Sequence, residues 1–448
     1  MKASRVRIDV TVYAGQLRQA IAVLLPARGL ALMDGSRWPD RLLVIGAVLM
    51  SWAAGGSILD RFAAARDALV RMYPSRRRPG RTCEGFVRKL ARHTPRLLPA
   101  VVEALRRRTV ESSRCGVPGA CGRVGRWTLF GADSTKLDCP MTAANERGIG
   151  CASRAKSWPQ VVLTTLVHLG SQLPWAWRTG AARASERDQL RLMLEELPAD
   201  SMLVMDAGFV GFDLIKTILA QGPGRSILLR VGSNVRLLRG LGLVAREHDG
   251  IVYLWPAEAR RREMTPLVLR KVEARDGRNR AVALLTDVLD ESLLSDAQAL
   301  EAYRMRWGVE LLYRAVKQTL GRRKLLSDSP RHAHVEAQWL MAGVWVLGLL
   351  LRQDRGHAPA PAGKGPSTAL ALRAVRAAMA GRTDRREGGL SKRLRESVLD
   401  SYTRRGAKAA RHWPHRKNPK PPGEPLARTA TPAEVELARE LQKKRQAA

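Results

Sequence analysis

The middle of the chain alternates short β-rich segments with helical ones, and this order restricts the possible folds more than any other feature. Three runs rich in aliphatic and aromatic residues come first: WTLFGADSTKL (127–137), QVVLTTLVHLG (160–170) and LPWAWRTG (173–180). The next segments alternate in type: a helix that Ser185 can cap, the strand SMLVMD (201–206), a helix at 212–221 and the strand SILLRVG (226–232). The order β-β-β-α-β-α-β predicts an α/β protein, or α+β, with a mixed sheet and flanking helices.

The flanking regions have different patterns. The N-terminal part carries apolar residues at helical spacing in LLVIGAVLMSW, DRFAAARDALVRMY and LLPAVVEALRRR, and we expect PSRRRPGR and RHTPR to separate these helices. After the last predicted core strand come further short strands with polar turns, then two helices, then a basic tail in which HWPHRKNPKPP is expected to be extended or disordered. The predicted units are a helical N-terminal domain, the first part of the core, a β-rich insertion, the helices that complete the core and the tail, over residues 1–122, 123–232, 233–290, 291–353 and 354–448.

Charge indicates a partner. The 448 residues include 77 Lys and Arg against 41 Asp and Glu, a formal net charge of +36. Because so much positive charge repels itself unless a polyanion neutralises it, nucleic acid is the first partner to consider. A basic RNA-binding or structural protein, or an arginine-rich surface without a partner, would show the same charge. Charge alone therefore predicts no activity.

The N-terminus, the apolar runs and the cysteines favour a cytoplasmic protein without a membrane segment. The first residues lack the apolar core of an export signal, and the longest apolar run, 339–351, is shorter than the ~20 residues that span a bilayer. The five cysteines include no CxxC pair, so disulfides are not expected. A zinc site is conceivable, but its ligands would have a spacing that matches no known metal pattern: Cys115, Cys121, Cys139 and Cys151.

The segment YRMRWGVELLYRAVK (303–317) places charged and aromatic residues on one face of a helix predicted from about residue 295 to 320. At ~100° per residue, four side chains fall within an arc of about 60°: Tyr303, Arg306, Glu310 and Lys317. An ordinary salt-bridged helix surface would give the same pattern. Further residues are needed to decide between a surface and a site.

Two aspartates follow predicted strands of the core sheet and precede turn residues. Asp133 comes after WTLFGA and Asp206 after SMLVM, so each carboxylate can face a crevice at the sheet edge. Together with Glu310 they would form a set of oxygen ligands suited to Mg²⁺ or Mn²⁺. Either aspartate could instead cap a turn. Asp138 is an alternative first ligand, although it would lie beyond the end of the strand.

Three ordered motifs resemble those of the DDE transposases of bacterial insertion sequences, in the insertion-sequence-four group with the YREK signature. The motifs are TLFGADSTKL, MLVMDAGFVG and Y-x-x-R-x-x-x-E-x-x-x-x-x-x-K, within roughly residues 125 to 350. The long β-rich interval between the second and third motifs also resembles that group. The resemblance implies an RNase H-like catalytic core interrupted by a β-rich insertion. Ser134 departs from the family, which often has Gly there.

The resemblance also implies roles for single residues. Three carboxylates would bind two Mg²⁺ ions, or Mn²⁺ in their place: those of Asp133, Asp206 and Glu310. Four further side chains would bind DNA phosphates: Tyr303, Arg306, Lys317 and Arg230. Arg230 could equally be a surface charge at a strand end. Trp255 is a candidate for stabilising a flipped base, although a core tryptophan is the simpler interpretation, and His168 is expected to be a buried structural residue.

The function implied by the resemblance is cut-and-paste DNA transposition. Such a protein would bind the terminal inverted repeats of its element as a homodimer, cleave phosphodiester bonds and join the ends to target DNA, without a small-molecule cofactor. A catalytically inactive or domesticated copy would bind DNA without cutting it. A nuclease with an RNase H-like fold but no strand transfer would share the metal site.

Overall fold

The structure is a computed structural model, and it describes residues 10–26, 29–30, 35–74, 78–113, 122–151, 158–245, 247–248, 250–275, 281–353, 364–382, 389–400 and 423–447. One large mixed sheet divides the protein, with an apolar core on each face. Strand alternation places Met202 and Val204 in one core and Leu203 and Met205 in the other.

Four helices precede the sheet: α1 (Val10–Leu24), α2 (Asp40–Trp52), α3 (Ile58–Met72) and α4 (Cys83–Ser113). The prediction that RHTPR separates two helices is wrong, because α4 continues through Pro95 and Pro99. Pro95 has no N–H for the carbonyl of Ala91, one turn earlier. That carbonyl instead accepts a hydrogen bond from Arg331 Nη2 at 3.3 Å. A contact from a distant part of the chain thus compensates for the proline.

The core part of the sheet is built from six strands and three short helices. In chain order these are β1 (Arg123–Val124), β2 (Trp127–Asp138), α5 (Ala143–Gly148), β3 (Gln160–His168), β4 (Leu173–Gly180), α6 (Glu186–Arg191), β5 (Ser201–Met205), α7 (Phe212–Ala220) and β6 (Ser226–Val231). The spatial order is β4-β3-β2-β5-β6. Strand β3 pairs antiparallel with both β2 and β4, whereas β2, β5 and β6 run parallel. The predicted mixed sheet with flanking helices is confirmed, in an RNase H-like arrangement.

The predicted β-rich insertion is also confirmed, and it extends the same sheet. Its elements are β7 (Arg236–Arg239), β8 (Ile251–Leu254), α8 (Ala257–Arg261), β9 (Leu267–Arg275) and β10 (Ala281–Thr286). Strand β10 pairs antiparallel with β6, so the insertion continues the core sheet without a gap.

The helical segment that carries the third motif is interrupted. It consists of α9 (Asp296–Met305), α10 (Trp307–Arg314) and a π-helical turn at Ala315–Thr319. The prediction of one continuous α-helix is therefore wrong: the α-helical pattern breaks at Arg306, and the turn that contains Lys317 is π-helical.

A long apolar helix, α11 (Pro330–Gln353), follows. Within the described residues it is the one helix long and apolar enough to cross a membrane, yet 78% of its most apolar stretch is buried inside the protein. Two of its tryptophans bond to α4: Trp339 Nε1 donates to Thr94 and Trp345 Nε1 donates to Thr109. These contacts favour the prediction of a core helix.

The described C-terminal elements are β11 (Lys364–Pro366), α12 (Thr368–Ala380), α13 (Leu390–Arg395), β12 (Val398–Asp400), β13 (Leu426–Thr429) and α14 (Pro432–Ala447). Strand β13 pairs in parallel with β7 at the edge of the insertion. Ala438 and Leu441 of α14 are buried in the core on that side. The segment HWPHRKNPKPP lies outside the described residues.

Candidate active site

Asp133 and Asp206 lie side by side where a short strand ends against a long one. The parallel register pairs Ala132 with Met205, the last residue of β5, so the next residue on each strand is an aspartate. The sequence predicts that Asp133 lies at a strand end, but β2 continues to Asp138. The strand that ends beside Asp133 is β5. The pairing of β5 with β2 ends there, which brings both aspartates to the end of β5.

Local hydrogen bonds hold both aspartates. Asp133 Oδ1 accepts from Ser134 N at 2.7 Å, and Asp206 Oδ1 accepts from Ala207 N at 2.8 Å. Asp206 also caps a 3₁₀ turn at Ala207–Phe209, which supports the turn-capping alternative and leaves its second oxygen facing Arg306. Burial raises the pKa of Asp133, although the bond from Ser134 and the charge of Arg306 oppose that rise.

Arg306 lies between the carboxylates. Its Nη2 is 3.2 Å from Glu310 Oε1 and 3.8 Å from Asp206 Oδ2. Burial lowers the pKa of Arg306, but Tyr303, Asp206, Glu310 and Asp133 together outweigh it and leave the pKa raised. The side chain is largely buried, and its Nε has no hydrogen-bond partner in the described part of the chain. The guanidinium therefore acts as the counter-ion of the three acids and keeps one donor unused.

Two other predicted phosphate ligands adjoin this cluster. The Tyr303 hydroxyl donates to Asp206 Oδ1 at 3.4 Å, and its ring packs against the Arg306 guanidinium at 5.5 Å. Arg230, at the end of β6, interacts with the same hydroxyl. Lys317 lies in the π-helical turn, about 10 Å further along the helix than Glu310 at 1.5 Å per residue. The structure thus brings Tyr303, Arg306 and Arg230 together and places Lys317 beyond them.

Tyr313 is a residue of this region that the sequence did not predict. Its hydroxyl donates to the backbone carbonyl of Asp133 at 2.6 Å and lies 3.3 Å from that of Leu163. This contact fixes α10, and with it Glu310, against β2. Its position three residues after Glu310, on the same helix face, was the available signal. The pKa of Tyr313 is raised, mainly by burial.

The carboxylates fit a divalent cation by chemistry, although they are not gathered around one point. Among the described residues, no three His, Cys, Asp or Glu side chains form a ready-made metal site. The guanidinium of Arg306 occupies the space that Asp206 and Glu310 share. An all-oxygen donor set with surplus negative charge suits a hard cation such as Mg²⁺ or Mn²⁺.

The other candidate ligands lie apart from the cluster. Asp138 is about 16 Å along β2 from Asp133 at ~3.3 Å per residue, and its Oδ1 accepts from Gln160 Nε2 at 2.6 Å. His168 is buried and bonds to Ser171, and burial lowers its pKa to about 4. Of the proposed zinc ligands, Cys115 and Cys121 lie outside the described residues.

Trp255 has the environment of a core tryptophan. It is 3% exposed, and its Nε1 donates to Met264 O at 2.7 Å. Arg260 packs over its ring at 5.7 Å. This burial favours the structural interpretation over contact with a flipped base.

Comparisons with known proteins match the region that contains these residues. A family described as the transposase DDE domain matches residues 128–347. The transposase InsG for insertion sequence element IS4 from Escherichia coli (strain K12) is 26% identical over 220 residues, 47% of this chain and 49% of the relative. The match therefore spans about half the length of that curated relative.

Among solved structures, a piggyBac transposase synaptic complex with hairpin DNA aligns with 88% of this chain and 86% of its own, at a TM-score of 0.40 and 12% identity. The matched sequence spans β2 to α11 and contains both aspartates and Glu310. Residues 128–347 of this chain match the transposase DDE domain family, and the similarity to the IS4 transposase supports the insertion-sequence-four group.

Proposed function

We propose that the protein is a DNA transposase that binds the ends of an insertion sequence and catalyses metal-dependent cleavage and strand transfer. One observation carries the proposal: Asp133, Asp206 and Glu310 converge on Arg306 where β5 ends beside β2. A surface ion-pair network needs no such convergence, because exposed pairs contribute little to stability. Three acids on three separate elements around one buried guanidinium are better explained by a site that binds cations and phosphates.

The three carboxylates would hold two Mg²⁺ ions, with Mn²⁺ as a substitute. Bound there, the ions would supply Lewis-acid stabilisation of the attacking and leaving oxygens of a phosphodiester. The side chains of the protein set the geometry: Tyr313 holds α10 against β2, and the 3₁₀ turn after Asp206 fixes that carboxylate at the end of β5.

The neighbouring cations and hydroxyl would bind the DNA backbone. Arg306 has an unused buried donor, and a guanidinium can bind a phosphate through two parallel hydrogen bonds. Tyr303 and Arg230 lie beside it, and Lys317 would contact a phosphate further along the strand. This surface would position the scissile phosphate against the carboxylates.

The net charge of +36 supports duplex DNA as the partner, both the terminal inverted repeats and the target. We assign end binding to residues 1–122 and DNA binding or dimerisation to residues 354–448, with a homodimer as the active complex in the bacterial cytoplasm. Arg106 of α4 does not contribute to DNA binding in this arrangement, because it pairs with Glu196 and packs over Trp175 at 5.5 Å.

Incubation of the purified chain with DNA that carries the element's ends, with and without Mg²⁺, tests the proposal. Wild type is expected to nick and join the DNA only with the cation. Glu310→Gln should bind the same DNA without cleaving it, and Glu301→Gln, an exposed acid on the preceding helix, should behave as wild type. If wild type binds and never cleaves, the protein is an inactive DNA-binding relative and the enzyme proposal fails.

A further inference from the structure

A fourth carboxylate, that of Glu186, lies beside the catalytic cluster. Ser185 begins α6 by accepting from Asp188 N at 3.2 Å, which places Glu186 on the first turn. Arg187 Nε donates to Gly208 O at 3.0 Å and so fastens α6 to the turn that follows Asp206. A Cβ added at Gly208 would lie 3.3 Å from Glu186 Oε1. The Glu186 carboxylate therefore lies directly against the turn that carries a proposed metal ligand.

Two side chains on other elements are affected by the charge of Glu186. Burial is the main cause of the raised pKa of Asp133, and the negative charges of Glu186 and Asp206 add to it. The charge of Glu186 also adds to the raised pKa of the buried Tyr313. In the described part of the chain, the Glu186 carboxylate itself has no hydrogen-bond or ion-pair partner. It is a half-buried acid next to other acids, without a protein cation of its own.

Stabilisation of the helix N-terminus does not explain this placement. An acid in the first turn interacts favourably with the helix dipole, but Asp188 on the same turn can do this as well. Asp188 instead pairs with Arg191 at 2.6 Å and is 66% exposed. A comparison of variants at Glu186 and Asp188 therefore distinguishes a general effect on the helix from a specific role at the site.

We infer that Glu186 contributes a fourth carboxylate to divalent-cation binding at the site of Asp133, Asp206 and Glu310. The inference rests on the proposed function. Asp206 and Glu310 pair with the Arg306 guanidinium, and Glu186 adds a further negative charge against the Gly208 turn and near Asp133. The cluster without a cation therefore keeps a surplus of negative charge that a divalent ion would neutralise. Glu186 would act on the cation directly or through a water that the cation holds.

Calorimetric titration of the full-length protein with Mn²⁺ tests the inference. Glu186→Gln is expected to weaken Mn²⁺ affinity about tenfold or more, the usual cost of losing a carboxylate around a metal site. Asp188→Asn should bind Mn²⁺ as wild type does. Melting temperatures without cation show whether each variant is folded. In the cleavage reaction, Glu186→Gln should require more Mg²⁺ for half-maximal rate, with DNA affinity unchanged.

Equal Mn²⁺ affinity for wild type and Glu186→Gln would overturn the inference, and so would equal weakening by Asp188→Asn. These outcomes can be told apart from failure of the proposed function. If wild type does not cleave DNA at all, the function fails, while the Mn²⁺ titration still decides whether Glu186 belongs to the cation site.

Discussion

Two buried arginines on either side of the π-helical turn, Arg306 and Arg322, are held in opposite ways. Arg306 is surrounded by side-chain carboxylates, and its pKa is raised. Arg322 Nη2 instead donates to three backbone carbonyls at the end of α2, those of Met50, Ser51 and Ala53, at 3.1, 2.9 and 2.7 Å. Burial, with Arg61 nearby, lowers the pKa of Arg322 to about 9.

The difference lies in what can compete for each guanidinium. The carbonyls around Arg322 are fixed by the backbone of α2, and they close the end of a helix whose last carbonyls would otherwise lack partners. The carboxylates around Arg306 carry full charges, and a divalent cation or a DNA phosphate could exchange with them. Arg322 is therefore a structural link between the N-terminal helices and the segment that follows the π-helical turn, whereas Arg306 has exchangeable partners.

Removing a carboxylate from the Arg306 cluster should have the largest effect. Asp206→Asn is expected to reduce DNA cleavage roughly a thousandfold, since an ion held by carboxylates supplies several kcal/mol of transition-state stabilisation. The rate of end cleavage with Mg²⁺ measures it. Asp213→Asn, a half-exposed acid on α7, is the matched control and should cleave normally. If Asp206→Asn cleaves DNA at the wild-type rate, the carboxylates around Arg306 are no more functional than the carbonyls around Arg322.

Replacing Arg322 should affect stability and not chemistry. Arg322→Met leaves three buried carbonyls without donors and is expected to reduce the free energy of unfolding by roughly 3 kcal/mol. Urea denaturation measures the loss. Arg323→Met, the exposed neighbour, serves as the control. If Arg322→Met is as stable as wild type but inactive, Arg322 belongs to the site and the comparison is wrong.

Replacing Arg306 should strengthen cation binding even where it impairs catalysis. Without the guanidinium, the acids repel one another, so Arg306→Gln is expected to bind Mn²⁺ about tenfold more tightly and to gain about 1.4 kcal/mol more stabilisation from it. Thermal unfolding with increasing Mn²⁺ measures the difference, and Arg304→Gln, exposed on α9, is the control. If Mn²⁺ stabilises Arg306→Gln less than it stabilises wild type, Arg306 supports cation binding and does not compete with the cation.

The sequence predicted the sheet well because its strands are short apolar runs bounded by turns. It also predicted that Asp206 follows a strand, because an acid after a buried strand is a local pattern, whereas Asp133 lies within β2. The resemblance to a known family then connected them with Glu310. The fold class and the matched region follow from residues that are close together in the chain.

The features that the sequence did not predict depend on distant contacts. Helical periodicity does not reveal the break at Arg306 or the π-helical turn, and the continuation of α4 through Pro95 depends on Arg331. The contact of Tyr313 with Asp133 joins residues 180 positions apart. The proximity of Glu186 to Asp133 arises only when α6 packs against the turn after Asp206.

A buried acid held by backbone groups should, like Arg322, affect stability and not cleavage. We expect its effect on stability to be small and to depend on pH. Asp287 Oδ1 accepts from Ile227 N at 2.7 Å at the far end of β6, and burial raises the pKa of Asp287 to about 6. Because this pKa is higher than in the unfolded chain, the folded state loses stability as pH rises from about 4 to 6 and does not recover it above.

Asp287→Asn keeps an acceptor for Ile227 but cannot ionise. We expect it to match wild type near pH 4 and to be more stable by about 1 kcal/mol at pH 7, allowing for partial solvent contact. Thermal unfolding at both pH values measures this, with DNA cleavage unchanged. If Asp287→Asn loses cleavage, the functional cluster extends to this end of the sheet. Binding by backbone groups would then not mark a charged residue as structural.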